Sequence, residues 1–260
     1  MKSASLNQRK LAPETALWVL AALLTLTYLW MLNHYVVNFP MADDFTQILA
    51  IPGYFEHTDG FGNKIAYLFS FSGSDHRIAT LRAIAWVQAV LLGGFNFRAL
   101  VFLQNAMCIS TGVLLLLQID REFRPYVAPL CAALLFSPSN YVAQYWPSAG
   151  ICHYGVLTYA LFSLYCVTRP QRSWQYGAVV LALLATFTLS NGILVWPAGI
   201  LQLWLQRQRG RAVVWCAFAT ICVLLYFNGY ITPADRPSVI DDLAHPFRMV
   251  HWFLIMTGSM

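Results

Sequence analysis

The sequence predicts an all-α, polytopic membrane protein, and three observations carry that prediction. Of the 260 residues, 58% are hydrophobic and only 10% are charged, with a mean hydropathy of +0.56. A soluble domain averages roughly 25% charged, so too little charge is present to coat a water-facing surface. The apolar residues come in runs near the ~20 residues that cross a bilayer. The basic residues fall in short clusters between those runs, as in the cytoplasmic loops of membrane proteins.

The apolar segments are 15–37, 78–94, 99–119, 126–143, 148–167, 175–190, 193–205, 212–230 and a last one starting near 247. The first carries no formal charge and runs on into Asn38-Phe39-Pro40 without a small-residue cleavage site, so it reads as an uncleaved first span. Several others are shorter than a full span, and charge decides their arrangement. If 78–94 lies on the outer side as an interfacial helix, four loops fall inside. They hold Lys2, Arg9 and Lys10; Arg121 and Arg124; Arg169 and Arg172; and Arg207, Arg209 and Arg211. The positive-inside rule favours that layout over one in which 78–94 crosses. The polar face of 78–94 (Thr80, Arg82, Gln88) and its Gly93-Gly94 stop suit an interfacial helix. Asn191-Gly192 and Pro197 predict a break within 175–205.

The expected architecture is therefore about seven spans plus the start of an eighth, with the N-terminus cytoplasmic. Outer loops are expected at 38–77, 144–147, around 191–192, and 231–246. Residues 1–260 read as a single transmembrane module. The sequence stops about 14 residues into its last apolar run, so a further C-terminal region is expected.

The net charge of +5 gives no sign of nucleic-acid binding, because the basic residues are spread between apolar runs. The six cysteines form no C-x-x-C pair and read as small apolar packing residues.

Chemistry is expected in the first outer loop. Asp43 and Asp44 follow the end of the first span by about six residues. A carboxylate at the lip of a membrane cavity can take a proton from a hydroxyl or hold a divalent metal through oxygen. The same pair also suits the cap of a following helix. His76 and Arg77 at the start of the interfacial helix, with Arg82 about a turn later, can meet a phosphate, either on a substrate or on lipid headgroups. His153 lies near the outer end of a span and is a candidate cavity-lining residue or the partner of a neighbouring helix. Tyr141, Tyr145 and Trp146 read as an interfacial aromatic belt. Asn191 sits between two short apolar halves and is a second candidate for a cavity wall.

The order of these features resembles the N-terminal half of GT-C-fold glycosyltransferases, the group that includes protein mannosyltransferases and lipid A aminoarabinose transferases. The matching stretches are Ala42-Asp43-Asp44-Phe45, the helix from Asp75-His76-Arg77 to Gly93-Gly94-Phe95-Asn96-Phe97-Arg98, Asp120-Arg121-Glu122-Phe123-Arg124, and Leu189-Ser190-Asn191-Gly192. The resemblance spans nearly the whole chain as architecture, with no single specific motif. It implies a polyprenyl-phosphate sugar as donor and a lipid-linked or cell-surface glycan as acceptor, in a bacterial inner (plasma) membrane. Asp43 or Asp44 would then be the catalytic base or metal ligand, and His76, Arg77 and Arg82 would hold the donor phosphate. The chain departs from the pattern where relatives carry a second acid, since Ser137–Pro147 has none, and where they carry Lys, since Asn191 stands there. Two other readings remain open. One is a non-catalytic or truncated membrane protein that binds polyprenyl lipids. The other is a transporter or flippase, which the edge-placed charges and the lack of a repeat disfavour.

Overall fold

The computed structural model describes residues 2–73, 76–231 and 244–258. It is about 79% helical with almost no strand. Among the described residues, four helices are long and apolar enough to cross a membrane. They are α1 (Lys2–Tyr35, apolar from Pro13), α6 (Phe97–Leu117), α9 (Pro147–Val167) and α12 (Arg209–Phe227).

The remaining apolar segments make shorter helices. These are α5 (Ala79–Leu92), α7 (Arg124–Leu135), α10 (Arg172–Thr188) and α11 (Val195–Leu205). The expected segment 126–143 is divided: α7 stops at Leu135, and Ser137-Pro138 starts a 3-10 turn that leads into α8 (Tyr141–Tyr145). Proline at 138 removes a backbone donor and restricts the residue before it, so the helix cannot run through.

The break expected between residues 175 and 205 is present. Leu189 is extended, Ser190–Leu194 form a 3-10 turn, and α11 begins at Val195. Gly192 makes that turn fit, since a Cβ there would lie 2.0 Å from the Ala185 carbonyl oxygen. Pro197 sits in the first turn of α11, where its missing N–H costs nothing, and does not itself make the break.

The loop 38–77 is folded. It carries α2 (Asp44–Gln47), α3 (Ala50–Glu56) and α4 (Phe61–Leu68), then a two-stranded hairpin of β1 (Phe71–Ser72) and β2 (His76–Arg77). His76 and Arg77 were expected at the start of the following helix. They are instead paired as strand, Ser72 with His76 and Phe71 with Arg77, and α5 starts only at Ala79. Ser74 and Asp75 lie outside the described residues, as does most of the loop expected at 231–246.

Gly93 ends α5 in the left-handed conformation (φ 67°), as its Gly-Gly stop requires. Three residues later the Asn96 side chain accepts the Ala99 N–H (2.9 Å) and caps α6. Gln88 bonds both backbone groups of Asn96 (3.0 and 3.1 Å), fixing the corner between α5 and α6.

Hydrogen bonds between helix ends sort those ends into two groups. At one end Arg98, opening α6, donates to Asn33 near the close of α1 (3.0 Å to the carbonyl, 2.9 Å to Oδ1). Thr188, closing α10, donates to Thr80 in α5 (2.7 Å). At the opposite end Arg211, opening α12, donates to the carbonyls of Val167, which closes α9, and of Arg169 just beyond it. Arg124 donates to the Ile119 carbonyl there (3.0 Å). The first-loop helices pack on the first end: Ile48, Ile51, Phe55 and Leu68 share a buried cluster with Ile78, Leu81, Phe97, Ile151 and Cys152. A second cluster joins α9 to α12 around Trp196 and Trp215.

Candidate functional site

The seven residues singled out from the sequence all lie on segments that meet at the end of the bundle covered by the first loop. Their environments differ sharply.

Asp43 and Asp44 are neighbours with opposite surroundings. Asp43 is exposed, and Asp44 is 0% exposed. The turn before them is strained: Ala42 has φ +40°, a conformation that alanine adopts at a cost of order 1–3 kcal/mol. Asp44 holds this turn closed. Its Oδ2 accepts the Met41 N–H (2.9 Å), while its own N–H donates to the Met41 carbonyl (2.8 Å).

The other Asp44 oxygen, Oδ1, accepts the Ser148 backbone N–H at 3.0 Å. That N–H belongs to the first turn of α9, which opens on Pro147 and has free donors directed out of its N-terminus. Asp44 therefore caps a helix 104 residues away, and not the short helix it begins. Asp43 takes the N-cap position of α2 without a side-chain cap bond. The buried Trp146 Nε1–H and Ser148 hydroxyl also face the Asp44 carboxylate, without reaching hydrogen-bond geometry. Burial pushes the Asp44 carboxyl above its ordinary pKa, and the Met41, Ser148 and Trp146 donors only partly oppose that.

The two arginines are buried straps. Arg77 Nε donates to the Tyr226 carbonyl (2.8 Å), Nη1 to the Phe69 carbonyl and Nη2 to the Asn228 carbonyl. Its backbone N–H donates to the Tyr226 hydroxyl (3.3 Å), and the guanidinium lies 4.1 Å from the Phe71 ring centroid. Arg77 thus ties the hairpin to the close of α12 by satisfying carbonyls that a helix end leaves over. Arg82 Nη1 donates to the Tyr67 and Ser70 carbonyls (2.8 Å each) and to Ser70 Oγ (2.9 Å). Its Nε is buried without a partner. Burial draws both guanidinium pKa values below their ordinary range.

His76 is half-buried on the same strand as Arg77, and it lies close enough to His153 for the two to couple electrostatically. His153 is exposed, next to Cys152 in the loop-covered cluster. Asn191 is exposed in its 3-10 turn. Leu189, two residues before it, packs against that same cluster. An apolar cavity of about 350 Å³ opens between the start of α5 and the close of α10, lined by Phe69, Thr80, Ala83 and Phe187 among others.

A divalent metal needs several oxygen ligands. Among the described residues no three His, Cys, Asp or Glu side chains gather as a metal site. Both Asp44 oxygens already accept backbone N–H bonds. The described residues do not build such a site.

Sequence reasoning missed Ser148, Tyr226, Asn228 and the Thr80–Thr188 pair. Trp146-Pro147-Ser148 does carry a signal, because proline at the first helical position marks a helix start whose donors need a partner.

No protein-family model matches the chain, and neither a curated protein nor a solved structure is significantly similar to it.

Proposed function

We propose that this chain is the membrane module of a GT-C-type glycosyltransferase with seven spans and the start of an eighth, its N-terminus cytoplasmic and α5 lying at the outer interface of a bacterial inner membrane. The observation that carries the reading is the split of the acidic pair. Asp44 is buried and locks the loop onto α9, which leaves Asp43 presented to solvent on a strained turn beside the membrane-crossing helices.

In this reading Asp43 accepts the proton of the acceptor hydroxyl. The freed oxygen forms the glycosidic bond to the anomeric carbon, and the bond from that carbon to the donor's phosphate oxygen breaks, the electron pair leaving with the polyprenyl phosphate. General-base assistance of this kind is worth about 10²–10⁴-fold. His76, half-buried on the strand that also carries Arg77, is the group assigned to the leaving phosphate. Arg77 and Arg82 act by holding the hairpin that carries His76. The apolar cavity beside Thr80 suits a donor with a hydrocarbon tail.

The engagement of Asp44, Arg77 and Arg82 in structural bonds also favours a second reading, a non-catalytic partner that binds polyprenyl lipids. Chromosomal Asp43→Asn in the native host separates the two. Loss of a sugar from surface or lipid-linked glycans at normal protein level supports the transferase. Unchanged glycans support the partner.

A further inference from the structure

At the end of the bundle opposite the first loop, charge is one-sided. Residues 123–234 contain Arg124, Arg169, Arg172, Arg207, Arg209 and Arg211, with no lysine and no acid. All but Arg124 fall at two corners, where α9 meets α10 and where α11 meets α12. Arg211 joins the corners. Its Nη2 donates to the Val167 carbonyl and to the Arg169 carbonyl (2.9 Å), and its Nη1 to Gln208 Oε1. Arg172, Arg207 and Arg209 are exposed. The Arg169 guanidinium lies over the Tyr165 ring and that of Arg209 over Trp204 (4.2 and 5.5 Å to the centroids). Among the described residues, none of these arginines has a carboxylate partner. Like charges gathered without an internal counter-charge repel one another, and an anion from outside relieves that repulsion.

The corners open onto a cavity of about 220 Å³ between α10 and α12. Gln175 and Arg211 line its end nearest the corners. Val179 and Phe218, one and two turns further along the same helices, line the other end. Buried Leu203 and Trp215 form its floor, and half-exposed Val214 stands on its rim. From Arg211 to Phe218 the cavity follows α12 for about 10 Å. It is therefore polar where the helices end and apolar towards the middle of the bundle.

Charge and level together select the occupant. The ends of membrane-crossing helices stand where hydrocarbon gives way to headgroups. The planar arginine fork matches a pair of phosphate oxygens, and every cation in this stretch is arginine. A hydrocarbon chain continuing from that phosphate would enter the apolar end of the cavity. A neutral apolar helix laid over the same face would leave the arginines without a counter-charge.

We propose that the α10–α12 corner binds an anionic glycerophospholipid of the surrounding bilayer, its phosphate at the mouth marked by Arg172, Arg209 and Arg211 and the first part of an acyl chain between Val179 and Phe218. The assignment rests on these helices crossing a membrane and not on the transferase reading.

The full chain would be reconstituted in phosphatidylcholine vesicles containing a trace of phosphatidylglycerol with a diazirine near the head of one acyl chain. A parallel sample would carry the same diazirine on phosphatidylcholine. After illumination, adducts would be mapped by mass spectrometry. The expected result is phosphatidylglycerol labelling concentrated on α10 and α12 around the cavity, several-fold above that of the phosphatidylcholine probe. The double variant Arg172→Gln, Arg209→Gln removes two exposed charges and is expected to weaken the labelling about fivefold per arginine. Val214→Trp, which fills the cavity from its rim, is expected to abolish the adducts, while Val213→Trp, exposed on α12 outside the cavity, leaves them unchanged. Equal labelling by the two probes, or labelling indifferent to both the arginine pair and Val214→Trp, overturns the site. Displacement by inorganic phosphate as effective as that by unlabelled phosphatidylglycerol overturns the lipid assignment in favour of a free anion.

Discussion

The carboxylate of Asp44 meets the backbone N–H of Ser148 at 3.0 Å, across 104 residues of chain. That contact fixes the first loop to the start of α9 and decides which of two adjacent acids faces outward. Replacing Asp44 with Ala leaves the buried Ser148 N–H without its acceptor and releases the Met41 N–H of the turn. The expected loss is about 1–3 kcal/mol of stability. Asp43→Ala removes no such bond and is expected within about ±0.5 kcal/mol. Thermal unfolding of both variants in the same detergent checks the contrast, and equal losses would contradict it.

Burial raises the Asp44 pKa in the folded state above its unfolded value of about 3.9. A carboxyl shifted upward binds its proton more tightly when folded. Its contribution to stability is therefore full below pH ~3.9 and is lost as pH rises through the folded-state value. The difference in Tm between the native chain and Asp44→Asn should shift against the native chain as pH increases from about 4. A difference that does not vary with pH, or one that moves the other way, would contradict the burial seen here.

Arg77 supplies a planar fork to three carbonyls on two separate segments. A lysine keeps the charge but offers a single point of donation. Arg77→Lys is expected to cost about 1–3 kcal/mol and to open the hairpin to protease ahead of the rest of the chain. Tyr226→Phe removes only the hydroxyl that accepts the Arg77 N–H and is expected to cost about 1 kcal/mol. Proteolysis time courses read both.

Gly192 and Gly150 stand where no side chain fits. A Cβ at Gly150 would lie 2.2 Å from Gln104 Cδ and 2.4 Å from the Ala143 carbonyl oxygen. Either glycine changed to alanine is expected to destabilise by about 1–3 kcal/mol through overpacking. Gly177→Ala, with open space around it, is expected to be neutral or slightly stabilising. A Tm series on the three variants decides.

Much of the fold was legible in the sequence because hydropathy and length act locally. The segments 99–119, 148–167 and 212–230 match α6, α9 and α12 to within a few residues, and Gly93-Gly94 and Asn191-Gly192 mark real interruptions. The first loop was not legible. Its short helices are held by packing on Ile78, Leu81 and Ile151, which no local pattern announces. The same holds for the site. Asp43-Asp44 stood out as a pair, but only the Ser148 contact, far away in sequence, separates their roles. His76 and Arg77 read as the start of a helix because the pairing that makes them strand depends on Phe71 and Ser72 across a turn.

The most direct test of the central claim, that Asp43 is the exposed base while Asp44 only positions the loop, is donor turnover. Membranes carrying the full-length native protein, Asp43→Asn or Asp44→Asn would be given the host's own polyprenyl-phosphate sugars with the sugar radiolabelled, and transfer to acceptor measured per unit of folded protein. The account predicts a loss of about 10²–10⁴-fold for Asp43→Asn and a much smaller loss for the folded fraction of Asp44→Asn. Unchanged transfer in Asp43→Asn, or no transfer by the native protein, would contradict it.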